Sequence, residues 1–232
     1  MNKNQKKEII ILHGWTYSVE RWKEFISLLE KEGFSIDFLK IPGLTTSIGR
    51  PWTLEDYVGW LKQIIDAKKS NIILLGHSNG GRIAAKYASL FPEKIEHVIL
   101  IDSAGIYDNS FKMQLKRNIF GSIAKVGKMI SKSEAIRSVL YKAAREQDYK
   151  NATPVMRLTM KNLIRADLRE DLPNIKAPTT IIWGKNDKAT PLEGGKIMHS
   201  LIQGSTLHVL DARHSPMFTN VNEVVDIIKK EV

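Results

Sequence analysis

The sequence predicts an α/β fold, a doubly wound and mostly parallel sheet that carries one small helical cap as an insertion. Three observations lead there. Six short apolar runs alternate along the chain with segments of helical periodicity, which is the pattern of strands joined by crossover helices. Most of those runs are continuous in Ile, Val and Leu rather than alternating with polar residues, as expected of strands covered on both faces. One stretch, between Ser110 and Ala166, breaks the alternation and differs sharply in charge.

The polar start, Met1 to Glu8, leads into the first strand, Glu8 to Leu12, whose apolar part is far too short for a signal-peptide core or a membrane span. A soluble, cytoplasmic protein is the expectation. Trp22, Phe25, Ile26 and Leu29 then recur at helical spacing, and Phe34 to Leu39 reads as the second strand. Thr53-Leu54-Glu55-Asp56 has the form of a helix start and leads to Tyr57, Leu61, Ile64 and Ile65. The third strand, Ile72 to Leu75, runs into Gly76-His77-Ser78-Asn79-Gly80 and then a small-residue helix, Gly81 to Ala88. His97 to Ile101, Thr179 to Trp183 and Thr206 to Leu210 complete the strands, with helices near Leu192 to Leu201 and Asn220 to Lys230. The core is therefore assigned to residues 1–110 and 166–232, and the insertion to 111–165. At 232 residues, 43% of them hydrophobic, the chain suffices for one sizeable core.

In an open parallel sheet the active site lies beyond the carboxyl ends of the strands. Those ends are therefore the places to search. Beyond Leu12 stand His13-Gly14-Trp15; beyond Leu75, Ser78; beyond Ile101, Asp102; beyond Trp183, Asp187; and beyond Leu210, His214. A serine at the apex of a sharp strand-to-helix turn, flanked by glycines, is a nucleophile candidate, although an ordinary glycine turn is the bland reading of the pentapeptide. The order Ser78, Asp187, His214 is that of a nucleophile, acid and histidine triad on this type of sheet. Asp102 competes with Asp187 for the acid's place. His13, His77, His97, His199 and His208 read as structural residues.

On these motifs the sequence resembles the α/β-hydrolase superfamily over nearly its whole length. His13-Gly14-Trp15 is similar to the family's HG oxyanion segment, Gly76 to Gly80 to its nucleophile elbow, Ile181 to Asp187 to its acid-bearing strand end, and Ala212-Arg213-His214-Ser215-Pro216 to its histidine loop. One departure is Arg213, where the family usually has glycine. The resemblance implies that Ser78 attacks an acyl carbon, His214 takes and returns the proton, and Asp187 orients the imidazole. It also implies an oxyanion hole made by the backbone amides of Trp15 and Asn79.

The expected activity is hydrolysis of a small-molecule carboxylic ester, with an acyl part of short to medium length, through an acyl-enzyme. A metal-free lactonase or a carbon-carbon bond (diketone) hydrolase would use the same triad, and a non-catalytic binding protein could keep the fold. The family's dehalogenases and epoxide hydrolases place an aspartate where Ser78 stands, so those reactions are disfavoured. There is no cysteine, no H-x-H-x-D-H cluster and no phosphate loop, and neither metal nor organic cofactor is implied.

The resemblance makes residues 111–165 a lid of helices, placed after the strand that the family counts as its sixth. Leu115, Ile119, Ile123, Val126 and Ile130, then Met156, Met160, Leu163 and Ile164, form apolar stripes. From Phe111 to Arg165 there are 13 Lys and Arg against three acids, so the whole formal charge of +10 resides there and the remainder is neutral. Lys125, Lys128 and Lys132 share one helix face. Such a basic lid is a solvated face, a docking patch for an acidic carrier protein, or a contact with an anionic surface. No nucleic-acid module is recognisable.

Overall fold

The computed structural model describes residues 6–15, 19–43, 46–107 and 153–232. The first part of the predicted cap, with the stripe from Leu115 to Ile130 and the three lysines, lies outside the described residues. Six strands form one sheet: β1 (Glu8–Leu12), β2 (Ser35–Phe38), β3 (Ile72–His77), β4 (Ile95–Ile101), β5 (Thr179–Gly184) and β6 (Thr206–Leu210). Their spatial order is β2-β1-β3-β4-β5-β6, and every neighbouring pair is parallel. The helices are α1 (Lys23–Lys31), α2 (Leu54–Asp66), α3 (Asn79–Leu90), α4 (Pro154–Arg165), α5 (Leu192–Leu201), α6 (Pro216–Thr219) and α7 (Val221–Glu231).

The continuous apolar runs are divided residue by residue between two cores, because successive side chains of a strand point to opposite faces. Ile10, Leu12, Leu74 and Leu100 join α2, α3 and α4 on one face, whereas Ile9, Ile11, Ile73, Leu75, Ile99 and Ile101 join α1 and α7 on the other. That division is what requires strands apolar on both sides. The edge strands β2 and β6 are only partly buried and correspondingly more polar.

Local sequence accounts for the helix ends. In α2 the Thr53 hydroxyl accepts from the Asp56 amide while the Asp56 carboxylate accepts from the Thr53 amide, a reciprocal capping box. Helix α4 starts with Thr153 as N-cap and Pro154 in its first turn. It places Met156, Met160 and Leu163 in the core, but Ile164, expected on the same stripe, is half exposed. The physical reason is the narrow stripe: Ile164 falls one position beyond Leu163, about 100° around the helix.

Strand order reverses between β1 and β3, since β1 connects outward to β2 and the chain then returns beside β1 as β3. The crevice at such a reversal is open for a ligand. Here it is bordered by His13-Gly14 and by Ser78. Among the described residues no helix is long and apolar enough to cross a membrane.

Candidate active site

Ser78 occupies the turn between β3 and α3 with φ 54° and ψ −118°, one of two non-glycine residues at positive φ among the described residues. Such backbone costs of order 1–3 kcal/mol and persists only where the surroundings impose it. Three bonds do so. The Ser78 amide donates to the Ile101 carbonyl at 3.1 Å, and the Ser78 carbonyl accepts from Ala104 N at 2.8 Å and Arg82 N at 3.3 Å. The flanking glycines answer to different neighbours: a Cβ on Gly76 would lie 2.5 Å from Gly81 Cα, whereas one on Gly80 would lie 2.0 Å from the Leu12 carbonyl oxygen. Gly80 thus serves contact with β1, across the crevice, rather than the β3–α3 turn itself.

Gly14 packs directly on the serine, since a Cβ there would stand 2.9 Å from Ser78 Cβ and 3.4 Å from Ser78 Oγ. Trp15 follows it and packs its partly buried ring against the core. Asn79 opens α3 on the other side of the serine. Of the two residues whose amides are expected to form an oxyanion hole, Asn79 adjoins Ser78 in the chain and Trp15 follows the glycine that packs on it.

The acid and histidine loops meet beyond β5 and β6. His214 Nδ1 lies 2.6 Å from Asp187 Oδ2, with the Asp187 side chain fully buried. Asp187 Oδ1 accepts from the amides of Ala189 at 2.7 Å and Thr190 at 3.2 Å, which holds the carboxylate in place. The loops are joined by backbone bonds from Lys185 N to Leu210 O and from Asn186 N to Ala212 O. A Cβ on Gly184 would lie 2.2 Å from the Arg213 carbonyl oxygen, so the close approach of the loops is made by Gly184. Arg213 is not at positive φ, which removes the backbone reason for a glycine there.

Asp102, the competing acid, is also buried and near, and it too has positive φ, 42°. Its Oδ1 accepts from Gly184 N at 2.8 Å. The Asp102 carboxylate thus braces the start of the acid loop. His77 donates from Nε2 to the His214 carbonyl at 3.0 Å, its ring 4.9 Å from the His214 ring and edge-on to Trp22, and so holds the histidine loop. His13 is buried, bonded at Nδ1 to the Gly14 carbonyl and stacked on Phe38; burial pulls its pKa below the ordinary value. His97 is buried against Thr180 and shifted the same way by desolvation, while His199 and His208 bond to Ser205 and Glu231.

Thr190 was not legible as a site residue. Its hydroxyl is 2.6 Å from Asp187 Oδ2, 3.1 Å from His214 Nδ1 and 3.0 Å from the Asp102 carbonyl oxygen. The available signal was the spacing Asp187-x-x-Thr190, because an Asp commonly bonds to groups two and three residues on. His214 Nε2, on the far side of the ring, is buried and has no hydrogen-bond partner among the described residues. That nitrogen is where a proton from a nucleophile would be received.

Among the described residues one group, His77, Asp102 and His214, has potential metal-ligand atoms within 4.8 Å of one another. His77 Nε2 is engaged with the His214 carbonyl and His214 Nδ1 with Asp187.

A family model described as "alpha/beta hydrolase fold" matches residues 7–221. The chain belongs to this family. It is 26% identical to the pimeloyl-[acyl-carrier protein] methyl ester esterase of Shewanella woodyi, over 94% of this chain and 91% of that protein. It is 24% identical to the biotin biosynthesis bifunctional protein BioHC of Teredinibacter turnerae, of whose length it spans only 43%. The enol-lactonase of Burkholderia xenovorans superimposes with a TM-score of 0.74 at 20% identity, covering 99% of this chain and 92% of that one.

Proposed function

We propose that this α/β hydrolase is a serine esterase that cleaves carboxylic esters of short to medium acyl length through Ser78, His214 and Asp187. The observation that carries the reading is the 2.6 Å contact of His214 Nδ1 with the buried Asp187, which leaves Nε2 as the base on the side opposite the acid. In the first step Ser78 Oγ bonds to the ester carbonyl carbon and its proton passes to Nε2. The oxyanion is held by the amides of Trp15 and Asn79; its collapse breaks the bond to the alkoxide, which leaves as the alcohol with that proton. Water then attacks the acyl-enzyme, giving its proton to Nε2, and the carboxylic acid departs as Ser78 regains its hydrogen. The sum is ester plus water to acid plus alcohol.

Residues 111–165 form, on this proposal, a basic helical cap over the site. The name of the Shewanella woodyi relative, together with the +10 charge confined to that segment, favours an acidic acyl carrier over an anionic surface as its partner. Labelling with a fluorophosphonate and a burst of p-nitrophenol from a short-chain ester test the chemistry. Ser78→Ala is expected to abolish both, with a fall of roughly 10⁴ to 10⁶ in kcat; labelling that survives in this variant rejects the assignment. A panel with a lactone and a vinylogous diketone separates the alternative hydrolases. A kcat/KM that falls steeply with salt for a carrier-linked ester, but not for a small neutral one, supports the carrier; equal salt dependence rejects it.

A further inference from the structure

Helix α3 carries a second polar pair beside the nucleophile. Asn79 follows Ser78 directly, Arg82 stands three residues on along the same face, and Arg82 Nη1 donates to Asn79 Oδ1 at 3.0 Å. Asn79 is fully buried and Arg82 is 6% exposed. Side chains on a helix lean toward its N-terminus, so the guanidinium is carried back toward the turn that holds Ser78 and the carboxyl edge of the sheet. What it meets there is a neutral amide.

This buried cation differs from the next one along the helix. Lys86, one turn further along, pairs with Asp171 at 2.6 Å. Arg82 has no such acid among the described residues; burial alone acts on it and pulls its pKa down to about 10. Arg82 Nε and Asn79 Nδ2 are both buried without a hydrogen-bond partner. A desolvated charge and two unused donors are costly to a fold, and Asn79 and Arg82 are adjacent to the residue that would attack an ester. One positive charge and one neutral amide, offering N–H groups only, match a single planar carboxylate better than a doubly charged phosphate.

We propose that Asn79 and Arg82 form a carboxylate-binding subsite, so that the preferred ester carries a second, ionised carboxylate, as in the half-esters of short dicarboxylic acids. The inference rests on the serine esterase reading. Ser78 and Arg82 are separated by a helix rise of about 6 Å, reduced by the backward lean of the side chain, which suits a carboxylate a few carbons from the ester carbonyl. The subsite orients the acyl chain before attack and takes no part in bond making.

The test uses two esters with the same leaving group, mono-p-nitrophenyl glutarate and p-nitrophenyl butyrate. The wild-type protein is expected to prefer the charged ester by roughly 10- to 100-fold in kcat/KM, the range for hydrogen bonds to an ionised group in a buried site. The preference should persist in 0.5 M NaCl, because salt screens a remote basic surface but not a buried contact. Arg82→Met should erase the ratio, with Arg82→Lys between the two, and glutarate should inhibit the wild type competitively and protect it against thermal unfolding. No preference in the wild type, a preference abolished by salt, or equal losses on both esters in Arg82→Met overturns the subsite. The wild-type comparisons stand even if the variants do not fold. Turnover of the neutral ester without preference rejects the subsite alone, whereas no turnover of either ester and no labelling of Ser78 rejects the esterase reading as well.

Discussion

Replacing Thr190 by Val removes one hydroxyl and little else, since the two side chains are nearly the same size. That hydroxyl touches Asp187 Oδ2 at 2.6 Å, His214 Nδ1 at 3.1 Å and the Asp102 carbonyl at 3.0 Å. With a single O–H to give, its shortest contact is to the carboxylate, and a hydrogen bond to an ionised acceptor contributes about 1.5–3 kcal/mol. Asp187 would keep the Ala189 and Thr190 amides on Oδ1 and the ring N–H on Oδ2. The acid thus stays in place while the ring loses a lateral support. Taking about half of that bond as felt in the transition state gives roughly 0.8–1.5 kcal/mol, a loss of about 4- to 13-fold in kcat. Asp187→Ala, by contrast, should lose roughly 10⁴. The assay is steady-state hydrolysis of p-nitrophenyl butyrate by both variants and by Thr190→Ser, which keeps the hydroxyl and should recover most of the rate, with thermal unfolding run alongside. The reasoning fails if Thr190→Val matches the wild type in kcat or is as inactive as Asp187→Ala.

Other expectations come from single contacts. Gly14→Ala forces a Cβ to within 2.9 Å of Ser78 Cβ, so the nucleophile must shift; kcat should fall roughly 10²-fold with the fold retained, and an alanine variant of normal rate would contradict the packing. Thr53→Ala breaks the capping box of α2 and should cost about 1 kcal/mol, read as a fall of about 2–4 °C in Tm with kcat untouched. His13 and His97 have pKa values lowered by burial, so below about pH 6.5 the unfolded chain binds protons that the folded chain refuses. Stability measured by urea unfolding should accordingly fall from pH 7 to pH 5, less so in His13→Asn; greater stability at pH 5 would be incompatible with neutral buried rings.

Strand and helix positions were legible because burial on both faces writes itself into composition. Ile9 to Leu12 and Ile72 to Leu75 had to be apolar at every position once alternate side chains served different cores. The capping box at Thr53 was legible for a similar reason, since both partners lie within one helical turn. Less was visible wherever a residue's role depends on chain distant in sequence. Gly80 fits the elbow pattern, yet its lack of a side chain is demanded by the Leu12 carbonyl, 68 positions earlier. The Arg213 carbonyl fits its loop because Gly184, 29 positions earlier, carries no side chain, and nothing near Arg213 in the sequence announces it.

The sequence by itself determined the parallel α/β sheet, the strand ends at which reactive groups gather, and the family to which those motifs belong. Tertiary structure alone decided other neighbours of those groups: Asp102 on the Gly184 amide, Thr190 between the two loops, and Arg82 buried against Asn79 with no acid paired to it among the described residues. Periodicity records which side of an element is covered, because burial acts on each residue separately. Hydrogen-bond partners and unpaired charges are properties of pairs, and those pairs exist only once crossovers bring strand ends from distant parts of the chain to one edge of the sheet.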